Sequence, residues 1–354
     1  MSGADPVGAT YAGAGVDIAA GDETVARIRS IVDATRRPEV LGGVGGFGGL
    51  FSLGALGAGR LRDPVLVSST DGVGTKLLVA RATGRFDTVG VDLVAMCVDD
   101  LVCSGAEPLF LLDYLAVGTL DPARVAEVVA GIAEGCRRAG CALLGGETAE
   151  HPGAMGPDDL DLAGFAVGIV ERDALLDPAS VRPGDTLVGL GSPGLRSNGY
   201  SLARHVLLDR AGLDLDGPAW PGSSHSLADE LLRPSVIYAP AVLAALAAAP
   251  GGVHACAHIT GGGLPGNLVR ALPPDCDGVV RRQSWEVPPI FTEIARLGRV
   301  ADDEMARVFN LGLGMVLVVS PESSPAVVAA LEGAGVVAQV VGDVVAGTGR
   351  VVLS

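Results

Sequence analysis

The stretch Gly90-Val91-Asp92-Leu93-Val94-Ala95-Met96-Cys97-Val98-Asp99-Asp100-Leu101-Val102-Cys103 constrains this chain more than any other. Read as a helix from Val91 to Cys103, it is apolar almost all round, and such a helix belongs in the interior of a protein. Asp92 and Asp99 lie two turns apart, so they project along nearly one line, with Asp100 beside them. Buried like charges repel and each loses its hydration, so the fold must supply cations or keep the carboxyls protonated. Two readings fit. A hard divalent cation such as Mg²⁺, held by carboxylate oxygens, would settle the charge; alternatively Asp92 caps the helix start while Asp99 and Asp100 face solvent at one edge.

The rest of the chain must be large enough to enclose that helix, and 354 residues predict about two domains. With 25 Lys and Arg against 41 Asp and Glu, the net charge of −16 repels polyanions, and nucleic acid is not an expected partner. The six cysteines include no C-x-x-C pair and sit largely in apolar runs, which fits a reduced, cytoplasmic protein. The first residues carry neither a cationic nor an apolar export region. The uncharged run Pro234 to Val253 is cut by Pro240, Pro250 and Gly251-Gly252, too short for a span of about 20 apolar residues, so no membrane is expected.

Elements alternate along the chain. A helix starts near Asp22-Glu23-Thr24 and ends before Pro38; strands follow at Pro64 to Ser69, Leu109 to Tyr114, Cys141 to Leu144 and Leu162 to Val170, with a helix at Pro122 to Ala139. The polar, proline-marked segment from Glu171 to Asp185 separates this half from a fresh strand at Thr186 to Leu190. The expected boundary is near residue 171, giving domains 1–171 and 172–354. The second half reads as a helix from Ser197, a helix at 235–248, helices near 288–308, and strands at 314–319, 337–344 and 350–353. Two domains of α/β or α+β class are the expected fold.

Several motifs carry chemistry. Ser68-Ser69-Thr70-Asp71-Gly72-Val73-Gly74-Thr75-Lys76 leaves a strand and at once offers a carboxylate, a mobile backbone, hydroxyls and an ammonium. Leu143-Leu144-Gly145-Gly146-Glu147-Thr148-Ala149-Glu150 repeats that arrangement, with Glu147 and Glu150 readable as ligands or as loop acids. The loop Gly42 to Gly49 contains a literal G-x-G-x-x-G, but no strand precedes it and no helix follows, which rules out a dinucleotide fold. It remains either a backbone that approaches phosphate oxygens or a surface turn. Ser197-Asn198-Gly199-Tyr200-Ser201 offers a cap hydroxyl and an amide at a helix start. His258 sits in an apolar strand beside Thr260-Gly261-Gly262-Gly263, as a core histidine or a proton carrier.

Together these motifs resemble the phosphoribosylformylglycinamidine cyclo-ligase family. The likeness runs through Ala14 to Asp17, Thr35 to Val40, Gly45-Gly46-Phe47-Gly48, Thr70 to Lys76, Val91 to Cys97, Gly105 to Pro108, Gly145 to Glu150, Ser197 to Ser201, Ala257 to Gly263 and Phe309-Asn310, in order over nearly the whole chain. The resemblance implies a homodimer whose N-terminal sheets join into a barrel, with ATP and Mg²⁺ between the domains. It also implies ring closure of formylglycinamidine ribonucleotide to aminoimidazole ribonucleotide: ATP phosphorylates the formyl amide oxygen, and the amidine nitrogen attacks the activated carbon. By the same resemblance Asp71, Asp92, Asp100 and Glu147 would hold the metal. Gly45, Gly46, Phe47, Gly48, Asp71, Gly72, Thr75, Lys76, Glu147 and Thr148 would hold the nucleotide. Lys76, Asp100, His258 and Asn198 would act at the reacting centre.

Departures from the family pattern cluster in the second half. Arg196 stands where the family usually has His, and Ser235-Val236-Ile237-Tyr238-Ala239-Pro240 stands for Thr-Arg-Ile-Tyr-Val-Lys. Near the N-terminus Gly13 replaces an Asp and Arg29 a Lys. A paralogue with another substrate, a nucleotide-binding regulator and a kinase related by fold are therefore the competing readings.

Overall fold

A computed structural model describes residues 18–41, 43, 48–57 and 61–354. The first half comprises α1 (Ile18–Asp33), β1 (Val40–Leu41), β2 (Leu50–Phe51), β3 (Pro64–Gly72), α2 (Leu77–Thr83), α3 (Val89–Val102), β4 (Glu107–Val117), α4 (Pro122–Ala139), β5 (Ala142–Glu150) and β6 (Leu160–Glu171). The second comprises β7 (Thr186–Gly191), α5 (Tyr200–Arg204), α6 (Leu227–Leu231), α7 (Ala239–Ala248), β8 (Val253–His258), α8 (Gly263–Leu268), β9 (Cys276–Val280), α9 (Pro289–Gly298), α10 (Asp302–Val308), β10 (Leu313–Val319), α11 (Ser324–Gly333), β11 (Ala338–Ala346) and β12 (Val351–Leu353). The fold is mixed α/β in two domains, each built on its own sheet.

The first sheet has the order β3-β6-β4-β5, antiparallel except where β4 runs parallel to β5. Helices α3 and α4 cover one face, and α4 begins cleanly because Asp121 accepts from the amides of Ala123 and Arg124 while proline occupies the first helical position. At Gly90 an added Cβ would stand 2.2 Å from the backbone nitrogen of Ile132, so α3 and α4 approach as closely as they do only because that position carries no side chain. The second sheet has the order β12-β9-β11-β7-β10-β8 and is antiparallel apart from β12 beside β9. Its two faces feed different cores. Val188, Leu190, Met315 and Leu317 join a cluster continuous with the first domain, whereas Leu187, Val316 and Val318 pack with Leu264 and Leu268 of α8.

Helix α3 is the element both domains share. Every residue from Val89 to Val102 is buried except Asp100. It packs on β3, β4, β6 and α4 of its own domain and on α7 and β8 of the other. The buried acids are met by protein cations, and Asp92, expected at the metal, is paired with a lysine. The Lys76 ammonium lies 2.5 Å from Asp92 Oδ2, both side chains fully buried. Ser235 donates to Asp92 Oδ1 from its amide at 2.8 Å and its hydroxyl at 2.6 Å. Asp99 accepts from Arg196 at 2.7 Å and from the amides of Tyr238 and Ala239 at 2.8 and 3.1 Å.

Other differences from the sequence reading have local causes. β3 and β5 run on through the Ser-Thr-Asp and Gly-Gly-Glu-Thr segments, so Asp71, Glu147 and Glu150 are strand residues rather than loop residues. Their ladder partners, β6 and β4, are remote in sequence, and the pairing overrides the glycines. The segment at Ser197 begins its helix only at Tyr200, capped by Gly199 at φ 77° with no side-chain cap bond.

Breaking a buried ion pair strands the remaining charge, at a cost of about 3–5 kcal/mol. Lys76→Ala is therefore expected to lower the denaturant-extrapolated stability by about that amount, and Lys76→Met combined with Asp92→Asn to recover most of it. A fully stable Lys76→Ala protein with a raised KM for ATP would instead place this lysine on the nucleotide.

Candidate active site at the domain junction

The acids that α3 and β3 leave without a lysine or arginine partner are Asp100 and Asp71. Asp100 projects from the last turn of α3 with its side chain 44% exposed, and its Oδ1 lies 2.8 Å from Nδ1 of His258 on β8. Ser69 of β3 donates to its Oδ2 at 3.2 Å. Burial works to raise the Asp100 pKa, but the His258 hydrogen bond and charge, with Ser69 and Arg270, bring it below the usual carboxylate value. Asp71 ends β3 and accepts from the Gly72 amide at 2.7 Å. Burial first, and the nearby Asp100 charge after it, push the Asp71 carboxyl up, against the Gly72 amide and His258. Asp71 and Asp100 thus lie near enough for the charge of one to act on the other, with His258 hydrogen-bonded to Asp100.

The remaining expected residues divide. Asn198 reaches the same junction: its Oδ1 accepts from the Gly261 amide at 3.1 Å and its amide faces Met96 Sδ at 3.7 Å. Thr75 Oγ1 lies 3.1 Å from Ser201 Oγ across the domains. Lys76 is fully buried, donating also to the carbonyls of Arg233 and Arg196 at 2.8 and 3.2 Å, so it has no ammonium proton to offer a phosphate in this arrangement. His258 is 5% exposed and both ring nitrogens are engaged, Nδ1 by Asp100 and Nε2 by Arg196 at 3.1 Å, which leaves none to carry a proton to a substrate. Arg196, read from sequence beside a substrate surface, is 2% exposed. Among the described residues no three His, Cys, Asp or Glu side chains converge as a metal site.

Glu147 and Thr148 lie elsewhere. β5 is the edge opposite β3, and Glu147 is exposed beside Tyr114 rather than near Asp71. They line a cavity of about 580 Å³ with Gly43, Gly48, Gly145, Gly146 and Asp113. Gly45, Gly46 and Phe47 lie outside the described residues. Asp113 lines this cavity and was passed over in the sequence reading, as a lone acid in the apolar strand Leu109 to Tyr114. Its carboxylate lies against Gly146, where a Cβ would stand 2.1 Å from Oδ1. Burial pushes its pKa up to about 7.

Two family models cover the chain: the N-terminal domain of AIR synthase related proteins matches residues 57–170, and their C-terminal domain matches residues 182–354. A protein of Myxococcus xanthus named phosphoribosylformylglycinamidine cyclo-ligase is 57% identical over 344 residues, covering 97% of this chain and 98% of its own. The chain belongs to the phosphoribosylformylglycinamidine cyclo-ligase family. Another member, from Anaeromyxobacter, is 55% identical over 341 residues, 96% of this chain and 97% of its own. Among solved structures, thiamine-monophosphate kinase from Stenotrophomonas maltophilia superposes with a TM-score of 0.67 at 19% identity, covering 93% of this chain and 96% of that one. The hydrogenase maturation protein HypE in complex with ATP superposes at 0.60 and 19% identity, covering 91% and 88%. At those identities the cyclo-ligase family shares a fold with them.

The Asp113 carboxyl holds its proton in the folded chain to about pH 7, whereas an unfolded Asp releases it near pH 3.9. Between those values the folded state binds more protons, so this group's contribution to stability falls as pH rises through the interval. Asp113→Asn is expected to flatten the decline in melting temperature between about pH 5 and pH 8, and carboxyl-carbon NMR of the unmutated protein to show a midpoint near 7. A midpoint near 4 would refute the assignment.

Proposed function

We propose that this chain is the ATP-dependent cyclo-ligase that closes formylglycinamidine ribonucleotide to aminoimidazole ribonucleotide, releasing ADP and phosphate, in purine biosynthesis. The observation that carries the reading is identity of 57% running through both domains and nearly the full length of both chains. The formyl oxygen accepts the terminal phosphoryl group of ATP. The amidine nitrogen then attacks that carbon, the carbon–oxygen bond breaks, phosphate departs and the nitrogen loses a proton. Nitrogen and carbon must be held together while the phosphoryl charge is stabilised.

Asp71 and Asp100 are the residues proposed to face the triphosphate. Their fit to Mg²⁺ rests on donor chemistry: both offer hard carboxylate oxygens, and neither has the lysine or arginine partner that Asp92 and Asp99 have. With so few protein ligands, phosphate and water oxygens would complete the shell. When bound, the cation supplies neutralisation of phosphate charge. The chain's own residues orient the acids: the Gly72 amide holds Asp71, while His258 and Ser69 hold Asp100. Asn198, tied to the Gly261 amide, lines the same junction.

A homodimer fits the exposed face of the first sheet, where Leu66, Phe165 and Tyr114 are 57%, 43% and 42% exposed on neighbouring strands. Apolar side chains grouped on a sheet face mark an interaction surface. A reducing cytoplasm suits the six free thiols. Arg196 lies beneath the surface, so its departure from the family pattern does not point to a different substrate.

Purified protein with ATP, Mg²⁺ and formylglycinamidine ribonucleotide is expected to form aminoimidazole ribonucleotide, and Asp71→Asn to lose at least about a hundredfold in kcat, since even outer partners of metal ligands cost 10–100-fold. A folded, inactive parent protein would end the proposal. Light scattering is expected to report a dimer that Phe165→Asp converts to monomer; a monomeric parent at micromolar concentration would remove the dimer from the reading.

A further inference from the structure

Arg196 holds a backbone conformation that arginine rarely adopts, with φ at 63°. Such a residue costs on the order of 1–3 kcal/mol and persists where its surroundings over-determine it. Those surroundings are specific. One guanidinium nitrogen, Nη2, donates to Asp99 Oδ2 at 2.7 Å and lies 3.1 Å from Nε2 of His258. The other, Nη1, donates to the Val236 carbonyl at 2.8 Å, and the group stacks 4.7 Å from the centre of the Tyr238 ring.

A guanidinium has donors only, and a neutral imidazole has one donor and one acceptor. Nε2 of His258 must therefore be the acceptor, and the imidazole proton must sit on Nδ1, where it donates to Asp100 Oδ1 at 2.8 Å. The opposite tautomer would set an N–H against the arginine and a lone pair against the carboxylate, unfavourable at both ends. A protonated ring would still set two donors 3.1 Å apart. We propose that Arg196 is a positioning residue that acts through His258, fixing the tautomer that donates to Asp100 and so setting the direction of that carboxylate. The chain of contacts runs from the second domain, through a strained arginine and a buried ring, to an acid whose other oxygen is held by Ser69 of the first domain. The role of Asp100 toward the metal rests on the function proposed above; the tautomer does not.

The test reads the ring directly. Full-length protein labelled with ¹⁵N-histidine contains five histidines, and loss of one signal set in His258→Gln assigns the ring. Long-range proton–nitrogen spectra near neutral pH are expected to show His258 protonated on Nδ1 and bare on Nε2; a proton on Nε2 overturns the proposal. Arg196→Met with Asp99→Asn removes donor and buried charge together. In that folded variant the tautomer protonated on Nε2, now opposed only at the Asp100 end, is expected to gain population, and affinity for Mn²⁺, read by electron paramagnetic resonance of the free ion, to fall by about 10–100-fold. An unchanged tautomer or an unchanged Mn²⁺ affinity would show that Arg196 only packs. Should the double variant not fold, Arg196→Lys, which keeps the buried charge and withdraws the fixed guanidinium donor from Nε2, is read in its place, with the same outcomes. A parent protein that takes up no Mn²⁺ defeats the metal role of Asp100 while leaving the tautomer result standing.

Discussion

The interaction on which the rest depends is the neutralisation of two carboxylates inside one apolar helix. Asp92 and Asp99 sit on α3 with no exposure to water, and each is met by a cation brought from outside the helix, Lys76 and Arg196. An isolated buried charge is costly enough that neither acid could remain ionised there alone. The partners come from different places. Lys76 belongs to the first domain but also donates to carbonyls of the second, while Arg196 and the amides of Ser235, Tyr238 and Ala239 belong to the second. Separating the domains would strip Asp99 of every partner named here, so docking them and satisfying the helix are one event.

That division gives the acids of one helix opposite tasks. Asp99 and Asp100 are neighbours in sequence, yet the turn of the helix sends one into the junction and the other to its rim. The first is saturated by an arginine and two amides. The second is held by a histidine and a serine that orient it. The saturated acids hold the domains together, whereas Asp100 and Asp71 have no lysine or arginine partner.

What the sequence made legible follows the same line. The apolar circumference of Val91 to Val102 announced a buried helix, and Pro122 to Ala139 carried its own cap and stop signals, so both were readable from local chemistry. The need of Asp92 and Asp99 for cations was also readable. Which cations was not, because Lys76 and Arg196 are 16 and 97 residues away and the pairing exists only after folding. Motif likeness put Lys76 and His258 at the chemistry; packing placed Lys76 wholly inside and gave both nitrogens of His258 to protein partners. Asp113 was hidden for the reverse reason: a single acid in an apolar strand has no motif, and its environment comes from Gly146 on a strand paired beside it.

The first sheet also limits what one chain can assemble. Asp71 lies on edge strand β3 and Glu147 on edge strand β5, with β6 and β4 between them. Three strand spacings of about 4.8 Å put roughly 14 Å between those edges, far beyond the span of a single metal shell. Glu147 also shares its face with Tyr114, whereas Asp71 alternates with the exposed Thr70 and turns toward α3. Within one subunit the glycine-flanked acid of β5 and the acid pair of the junction are therefore separate surfaces. They could serve one nucleotide only if the edge of one sheet met the opposite edge of another. Among the described residues β3 and β5 are the edges of this sheet, and Leu66, Phe165 and Tyr114 are exposed on one face of it. In the dimer proposed above, assembly and completion of the nucleotide site would be the same step, as docking of the domains and neutralisation of α3 are within the chain.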